Sequence, residues 1–445
     1  MKTVRSGRLN WTQAAWFNGP DDVKTEACNL SQTCSADGCT MSDFVAALRL
    51  LFARHEAMRT VYDRDTSGYF QQRVIESPAD LSAVDGLITV TSPQDAAAVF
   101  QETKDRRFDL EGEFCVRFVV VEERSRLCEI GIVVDHAMFD GWGVRVLRDD
   151  LRQALKGVAF GSDDHVAQPL DLTVWENSGD GVRYHQRARR FWFNQLQKAE
   201  AVSPESIWNV DRCAAFGNYA ATSNAMLHDV RAASRRWQVP RPAVVMAAFG
   251  DVMCELSDTT SISFFTKTVG RYSEAHRKAA GHMADQAPVV LDRSVGGGAV
   301  KAAEHARGQQ LLAERYGRVD RHAIEGLLPS RFPRIPSLVL SGAASPNMVG
   351  ALFNYVGFRG ASQGYSSNWC GVHHLQPESS APTQQHGIVR HSQDLKAGVN
   401  LLLNIWEEED GMGLELIYRD CDPIRDAARL LLPRLREKIA NFSDA

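Results

Sequence analysis

In this chain of 445 residues, residue types suited to chemistry concentrate in GIVVDHAMFDGW, residues 131–142. An apolar run reads as a strand, His136 follows it, and Asp140 and Gly141 come before a helical pattern. A side chain placed where a rigid element gives way to a loop is held by the scaffold yet open to a ligand. Imidazole is the side chain whose unperturbed pKa lies near neutrality, so His136 has the chemistry of a general base toward an amine or a hydroxyl. Asp140 can orient that ring, or it can pair with an arginine and fix the loop; spacing alone leaves both open. Asp135 is the poorer partner, because neighbours in a strand point to opposite faces. A histidine at a strand end is also, more often than not, a structural residue with its hydrogen bonds satisfied.

The elements that must position these residues are legible from periodicity. Residues 41–55, MSDFVAALRLLFARH, put Phe44, Leu48, Leu51 and Phe52 on one helical face. Strands are predicted over 69–75, 114–122 and 127–134, and an amphipathic helix over 142–156. A polar break at 177–181, NSGDG, reads as an internal boundary. Beyond it come helices over 184–199 and 241–256, strands over 261–268 and 287–291, and a helix over 300–315. Strands over 350–356, 401–407 and 414–418 and a terminal helix over 423–440 complete the pattern. Two mixed α/β lobes, 1–178 and 179–445, follow from it.

Composition narrows the function classes. With 44% hydrophobic and 24% charged residues the chain is an ordinary globular protein. A formal net charge of -5 offers no general basic field for nucleic acid or an anionic membrane. No run of 18 apolar residues is available to span a bilayer, and the N-terminal basic residues precede no apolar stretch of the kind a signal peptide has. Nine scattered cysteines in so long a chain fit free thiols and a cytoplasmic location.

The segment around His136 resembles the H-H-x-x-x-D-G signature of nonribosomal peptide synthetase condensation domains, with Asp135 in place of the first His. These domains belong to an acyltransferase superfamily with the chloramphenicol acetyltransferase fold. Upstream, RHEAMRTVY (54–62) is similar to the family's R-H-E-x-L-R-T motif, and LNWTQAAWF (9–17) to its opening motif. LDLTVW (170–175), TVGR (268–271), AGHMADQAPVVL (280–291), LFNYVG (352–357) and LELIYRDCD (414–422) resemble later motifs in the family's order. Asp285 and Gln286 stand where the family has an Asn-Thr pair, and His282 alters its surroundings.

The resemblance implies an α/β fold of two chloramphenicol acetyltransferase-like lobes, each an α+β sandwich, in a V-shaped pseudo-dimer with a central tunnel. Peptidyl or acyl carrier proteins would dock at its ends and insert phosphopantetheine arms. It implies that His136 positions or deprotonates the acceptor amine, and that Asp140 is held structurally by an arginine, for which Arg59 is the first expectation. Gly141 would let backbone approach closely and offer an N–H to a developing oxyanion. Arg59, Asp135 and Trp142 would support the site, while Arg271, Asp285 and Gln286 would line the tunnel. No intrinsic cofactor and no metal are implied.

The expected function is a stand-alone condensation enzyme, in antibiotic-type natural-product assembly, that joins a carrier-tethered acyl or aminoacyl thioester to a small-molecule or aminoacyl amine. Carriers would be recruited in trans, and a monomer is the default. An ester-forming or coenzyme A-dependent acyltransferase is the nearest alternative. A condensation-like module that recruits partner proteins without catalysis is the alternative from another class.

Other candidates carry less. Cys28, Cys34 and Cys39 lack zinc-pair spacing and read as a surface loop. His373, His374, His386 and His391 lack acidic companions for a metal. Gly296, Gly297 and Gly298 form a turn rather than a phosphate cradle. Ser341 with Gly342, and Ser366 with Ser367, form no nucleophile elbow. Trp142, Trp175 and Trp192 read as core aromatics, and QRARR (186–190) as a solvated helix face or, failing that, a carrier-docking patch.

Overall fold

The computed structural model describes residues 2–17, 29–81, 84, 86–161, 165–202, 216–295, 297–325, 351–358, 383–385, 400–408, 411–422 and 424–444. They divide into two compact units. One holds the described residues of Met1–Arg183 together with Val269–Ala284; the other holds Tyr184–Thr268 and the described residues from Asp285 onward. The polar break at 177–181 is the entry to a helix, Gly179–Val202. Gly181 has to be glycine there, since a Cβ would lie 2.1 Å from the Trp175 carbonyl oxygen.

The first unit is built on β1 (Thr3–Arg8), β2 (Asn29–Ser35), β3 (Thr60–Arg64), β4 (Phe70–Ile75), β5 (Ile88–Thr91), β6 (Val116–Glu123) and β7 (Arg126–Asp135). They form a four-stranded sheet of order β2-β7-β6-β5 and a three-stranded sheet of order β1-β4-β3. β6 and β7 are an antiparallel hairpin whose two loop residues, Arg124 and Ser125, both have positive φ (50° and 62°). That is the turn geometry that matches strand twist. β7 is flanked on both sides and buried from Ile130 to its end, which is why its sequence runs apolar without strict alternation.

Two helices join the core of this unit. Met41–Arg54 starts at a capping box between Thr40 and Asp43, and its predicted face of Phe44, Leu48, Leu51 and Phe52 is fully buried. The second, Gly141–Leu155, contributes Val144, Leu147 and Leu151 to the same core as Phe118, Ile130, Ile132 and Val134.

The second unit carries a seven-stranded mixed sheet of β8 (Phe216–Ser223), β9 (Ser261–Thr268), β10 (Asp285–Asp292), β11 (Ala351–Phe358), β12 (Thr383–Gln385), β13 (Leu401–Glu407) and β14 (Met412–Arg419). Its order is β10-β9-β11-β13-β14-β8-β12; β11 runs parallel to β9 and β13, and the remaining pairs are antiparallel. Helices Asn224–Trp237, Arg241–Leu256, Gly298–Tyr316 and Ile424–Asp444 supply most of the rest of its core. Among the described residues no helix is long and apolar enough to cross a membrane.

Candidate active site

β7 ends at Asp135, and the chain turns at once: the amides of Met138 and Phe139 donate to the Asp135 carbonyl at 3.2 and 3.1 Å. The Asp135 side chain completes the turn by accepting from Ala137 N at 2.7 Å. It is thereby directed into the turn rather than toward the next ring. Burial pushes its carboxyl up to about 6, the Ala137 hydrogen bond and nearby Arg107 and Arg117 notwithstanding. The buried Asp135 carboxylate does have a donor, but a single backbone amide does not replace the hydration it loses.

His136 is the first residue of this turn and the half-buried one within a buried segment. Its Nδ1 lies 2.9 Å from the Phe139 carbonyl oxygen. A carbonyl only accepts, so Nδ1 carries the proton and the lone pair of the neutral ring is on Nε2. The ring packs against Trp16, with centroids 5.0 Å apart. Trp16 comes from the opening motif, which forms a helix, Trp11–Phe17. Asn10 and Gln13 cap this helix reciprocally at 3.0 Å each, and Gln13 Nε2 donates to the Tyr62 hydroxyl at 3.1 Å, close beneath Met138 of the turn.

Asp140 caps the helix that follows, accepting from Gly143 N at 2.7 Å. Its carboxylate also takes Arg271 Nη1 at 2.7 Å and Nη2 at 2.9 Å, Met283 N at 2.8 Å and Ala284 N at 2.7 Å. Burial alone would raise this carboxyl. The Arg271 guanidinium and the converging amides outweigh burial and hold it well below the usual carboxylate range. Arg271, Met283 and Ala284 of segment Val269–Ala284 thus converge on the Asp140 side chain. Close packing enforces the fit: a Cβ on Gly143 would lie 2.1 Å from the Ala280 carbonyl oxygen, and one on Gly270, at φ +65°, would lie 2.0 Å from that of Met283.

The arginine on Asp140 is therefore Arg271 and not Arg59. Arg59 instead donates to the carbonyls of Phe52 and Ile75 at 2.8 and 2.7 Å. The whole RHEAMRT motif is a clamp of this kind. Arg54 and His55 both reach Asp150 at 2.8 Å, and Glu56 takes Arg5 at 3.0 Å. Arg271, expected to line a tunnel, has no exposed side-chain surface. Trp142 donates its indole N–H to the Arg277 carbonyl at 2.8 Å, with the Arg145 guanidinium 4.1 Å above its ring. Gly141 opens the helix Gly141–Leu155.

Asp285 and Gln286 belong to the other unit, on β10. There Asp285 pairs with Arg321 and accepts from Gln286 N at 2.8 Å. Cys34, expected in a loop, is a buried residue of β2 whose thiol burial pushes up to about 12. Trp192 is fully buried, donating to the Gly317 carbonyl at 2.9 Å. Cys28, Gly296, Ser341, Gly342, Ser366, Ser367, His373, His374, His386 and His391 lie outside the described residues. Among the described residues no three His, Cys, Asp or Glu side chains are grouped to hold a metal ion.

A sequence model of the Condensation domain matches residues 9–330, which include Trp16, His136, Asp140, Arg271 and His282. The chain belongs to the condensation-domain family. Among the curated relatives, nonribosomal peptide synthetase kk1B of Curvularia clavata is 27% identical over 270 residues, 58% of this chain and 2% of that protein. Cyclosporin synthetase simA of Tolypocladium inflatum is 30% identical over 158 residues, 34% of this chain and 1% of that one. The chain thus spans only a few per cent of these relatives' length.

Solved structures extend the likeness to the whole fold. The condensation domain studied for chain release from the enacyloxin polyketide synthase superposes with a TM-score of 0.73 at 15% identity, covering 99% of this chain and 83% of that one. The X-domain from teicoplanin biosynthesis gives 0.67 at 17% identity, covering 100% and 96%. The fold is the chloramphenicol acetyltransferase-like one that the sequence motifs implied.

This condensation domain has two further parts that spacing did not reveal. The partner of Asp140 lies far along the chain, and the amides of Met283 and Ala284 carry no side-chain signal at all. TVGR and AGHMA were visible as motifs, but nothing in either says that they close on the same carboxylate.

Proposed function

We propose that this condensation domain joins an acyl or aminoacyl thioester, held on a carrier protein's phosphopantetheine arm, to an amine, the domain acting as a cytoplasmic monomer. The observation that carries the reading is the 2.9 Å contact of His136 Nδ1 with the Phe139 carbonyl oxygen. With Nδ1–H committed to the Phe139 carbonyl, Nε2 is the atom that can take a proton from the attacking amine.

The steps balance without a nucleotide or a metal. The amine nitrogen attacks the thioester carbonyl, and Nε2 of His136 takes the proton released as the C–N bond forms. The tetrahedral oxygen is assigned the Gly141 N–H, at the start of a helix where backbone donors lack intrahelical partners. Collapse breaks the C–S bond, and the thiolate leaves with the proton from His136. Asp140, ionised and tied to Arg271, fixes the turn and takes no proton.

A second reading is favoured by one comparison. A complex of the X-domain and OxyB from teicoplanin biosynthesis has the same fold, with a TM-score of 0.65, so a protein partner is an alternative use of this scaffold. An ester product from an alcohol, or coenzyme A as acyl source, requires no change in the site.

The test is an intact-mass assay of acyl transfer from thioester-loaded carrier proteins, and from acyl-coenzyme A, to candidate amines and alcohols. Wild type should give amide, and His136→Ala should lower the rate by roughly 10²–10⁴-fold. Equal rates would overturn the assignment of His136. Tight carrier or partner binding without transfer from any pair would favour recruitment.

A further inference from the structure

A row of polar side chains crosses the seven-stranded sheet of the second unit at one level. Gln286 on β10 pairs with Lys267 on β9, Asn354 on β11 with Asn404 on β13, and Asn404 with Glu415 on β14. β11 runs parallel to β9, with Leu352 beside Phe265 and Phe353 beside Thr266, so Asn354 stands beside Lys267. Five neighbouring strands thus put a polar residue on one face, a track of about 19 Å at the ordinary strand spacing. Phe353 packs against Phe249 of helix Arg241–Leu256, with centroids 5.5 Å apart. Asn354, its neighbour in the strand, points to the opposite face.

The row has a direction. A carboxylate only accepts, so Asn404 turns its Nδ2 to Glu415, at 3.0 Å. That leaves Asn404 Oδ1 for Asn354 Nδ2, at 2.9 Å. The Asn354 amide is thereby fixed, with its own oxygen and second N–H unspent among the described residues. Asn404 and Glu415 are buried, whereas Asn354 and Lys267 are half-buried. At the far end Gln286 is 9% exposed, and its Oε1 is buried without a hydrogen-bond partner among the described residues. Asn404 interrupts an apolar strand, LLLNIWE, and an apolar row would avoid the cost of burying amides and a carboxylate. Gln286 follows Ala284, whose amide binds Asp140, by two residues. Asn354, Asn404 and Glu415 lie beyond the stretch that the family model matches.

We propose that Asn354 is a specificity-determining residue: held in orientation by Asn404 and Glu415, it hydrogen-bonds a peptide amide, so that the row selects a peptide-like chain over a hydrocarbon one. An N–H and a C=O side by side are what a peptide group can pair with and a methylene cannot. A site built for such bonds leaves polar groups unpaired when the analogue lacks them. That the chain is the acyl part of the donor thioester rests on the acyl-transfer reading above; the binding preference does not.

Two probes with acyl chains of equal length test this: the N-acetyl-diglycyl and octanoyl thioesters of N-acetylcysteamine. Ligand NMR titration of the whole protein, with no amine present, gives their affinities for wild type and Asn354→Leu. The variant should bind the diglycyl probe about 5–10-fold more weakly and the octanoyl probe no more weakly than wild type does. Asn354→Ala repeats the reading should leucine disturb folding. An unchanged diglycyl affinity, or an equal loss for both probes, overturns the proposal. In the transfer assay KM for the diglycyl donor should rise by the same factor with kcat held and octanoyl transfer unchanged, where a purely structural loss would depress both donors. Should wild type transfer neither acyl group, the acyl-transfer reading fails, while the two affinities still decide the preference.

Discussion

Asp140 and Arg271, 131 residues apart in sequence, form a two-pronged ion pair at 2.7 and 2.9 Å with both side chains almost wholly buried. The pair does two jobs at once. It starts the helix Gly141–Leu155 and holds segment Val269–Ala284 against the turn that carries His136. Neither charge could stay in that place without the other, since each alone would be a desolvated ion.

Removing one partner should therefore be far worse than the pair's net worth. Arg271→Ala is expected to lower unfolding stability by about 3–5 kcal/mol, and Asp140→Ala by a similar amount. The double variant should lose clearly less than the sum of the two. Arg59→Ala, which gives up two carbonyl hydrogen bonds, should cost only about 1–3 kcal/mol. Urea denaturation of the four variants measures all of this; additive losses at Asp140 and Arg271 would show that the two do not act as a unit.

What the sequence revealed and what it hid follow the same physics. Helix Met41–Arg54 was plain because Phe44, Leu48, Leu51 and Phe52 face one core, and β9 and β13 because each is a short apolar run. β8 (FGNYAATS) and β2 (NLSQTCS) were missed because their few apolar residues hardly alternate with the polar ones. Arg124 and Ser125 form a hairpin turn without the Gly or Asn that usually marks one. At the site, His136 and Asp140 were legible from local spacing. Arg59 is the arginine expected on Asp140, yet its guanidinium is spent on the carbonyls of Phe52 and Ile75. Long-range pairing leaves no local trace, and backbone donors leave none anywhere.

Two glycines report on how tightly segment Val269–Ala284 is seated. Gly143→Ala would push a methyl group to 2.1 Å from the Ala280 carbonyl oxygen, and Gly270→Ala would add a left-handed φ to a 2.0 Å contact with that of Met283. Backbone cannot yield as a flexible side chain does. Each substitution is expected to lower stability by about 1–3 kcal/mol or more, and to do so alongside any loss of transfer activity. Gly308→Ala, in the middle of a helix with nothing within 4 Å, is the control and should be neutral or stabilising by up to about 1 kcal/mol. Thermal melts that place Gly143→Ala beside this control would refute the close packing.

Asp135 makes the sharpest prediction about pH. Its folded midpoint is raised to about 6 by burial, from an ordinary value of 3.8. Between these values the folded chain holds a proton that the unfolded chain has released. The folded state is therefore favoured at the acid end, and this contribution is lost as pH rises through about 6. Asp135→Asn removes the charge and keeps an oxygen for the Ala137 amide. It should stabilise the protein by about 1–3 kcal/mol at pH 8, a shift of roughly two pH units expressed as free energy, and leave it nearly unchanged at pH 4. Urea denaturation at pH 4, 6 and 8 measures the difference directly. A gain of equal size at all three would trace to packing and not to the buried charge.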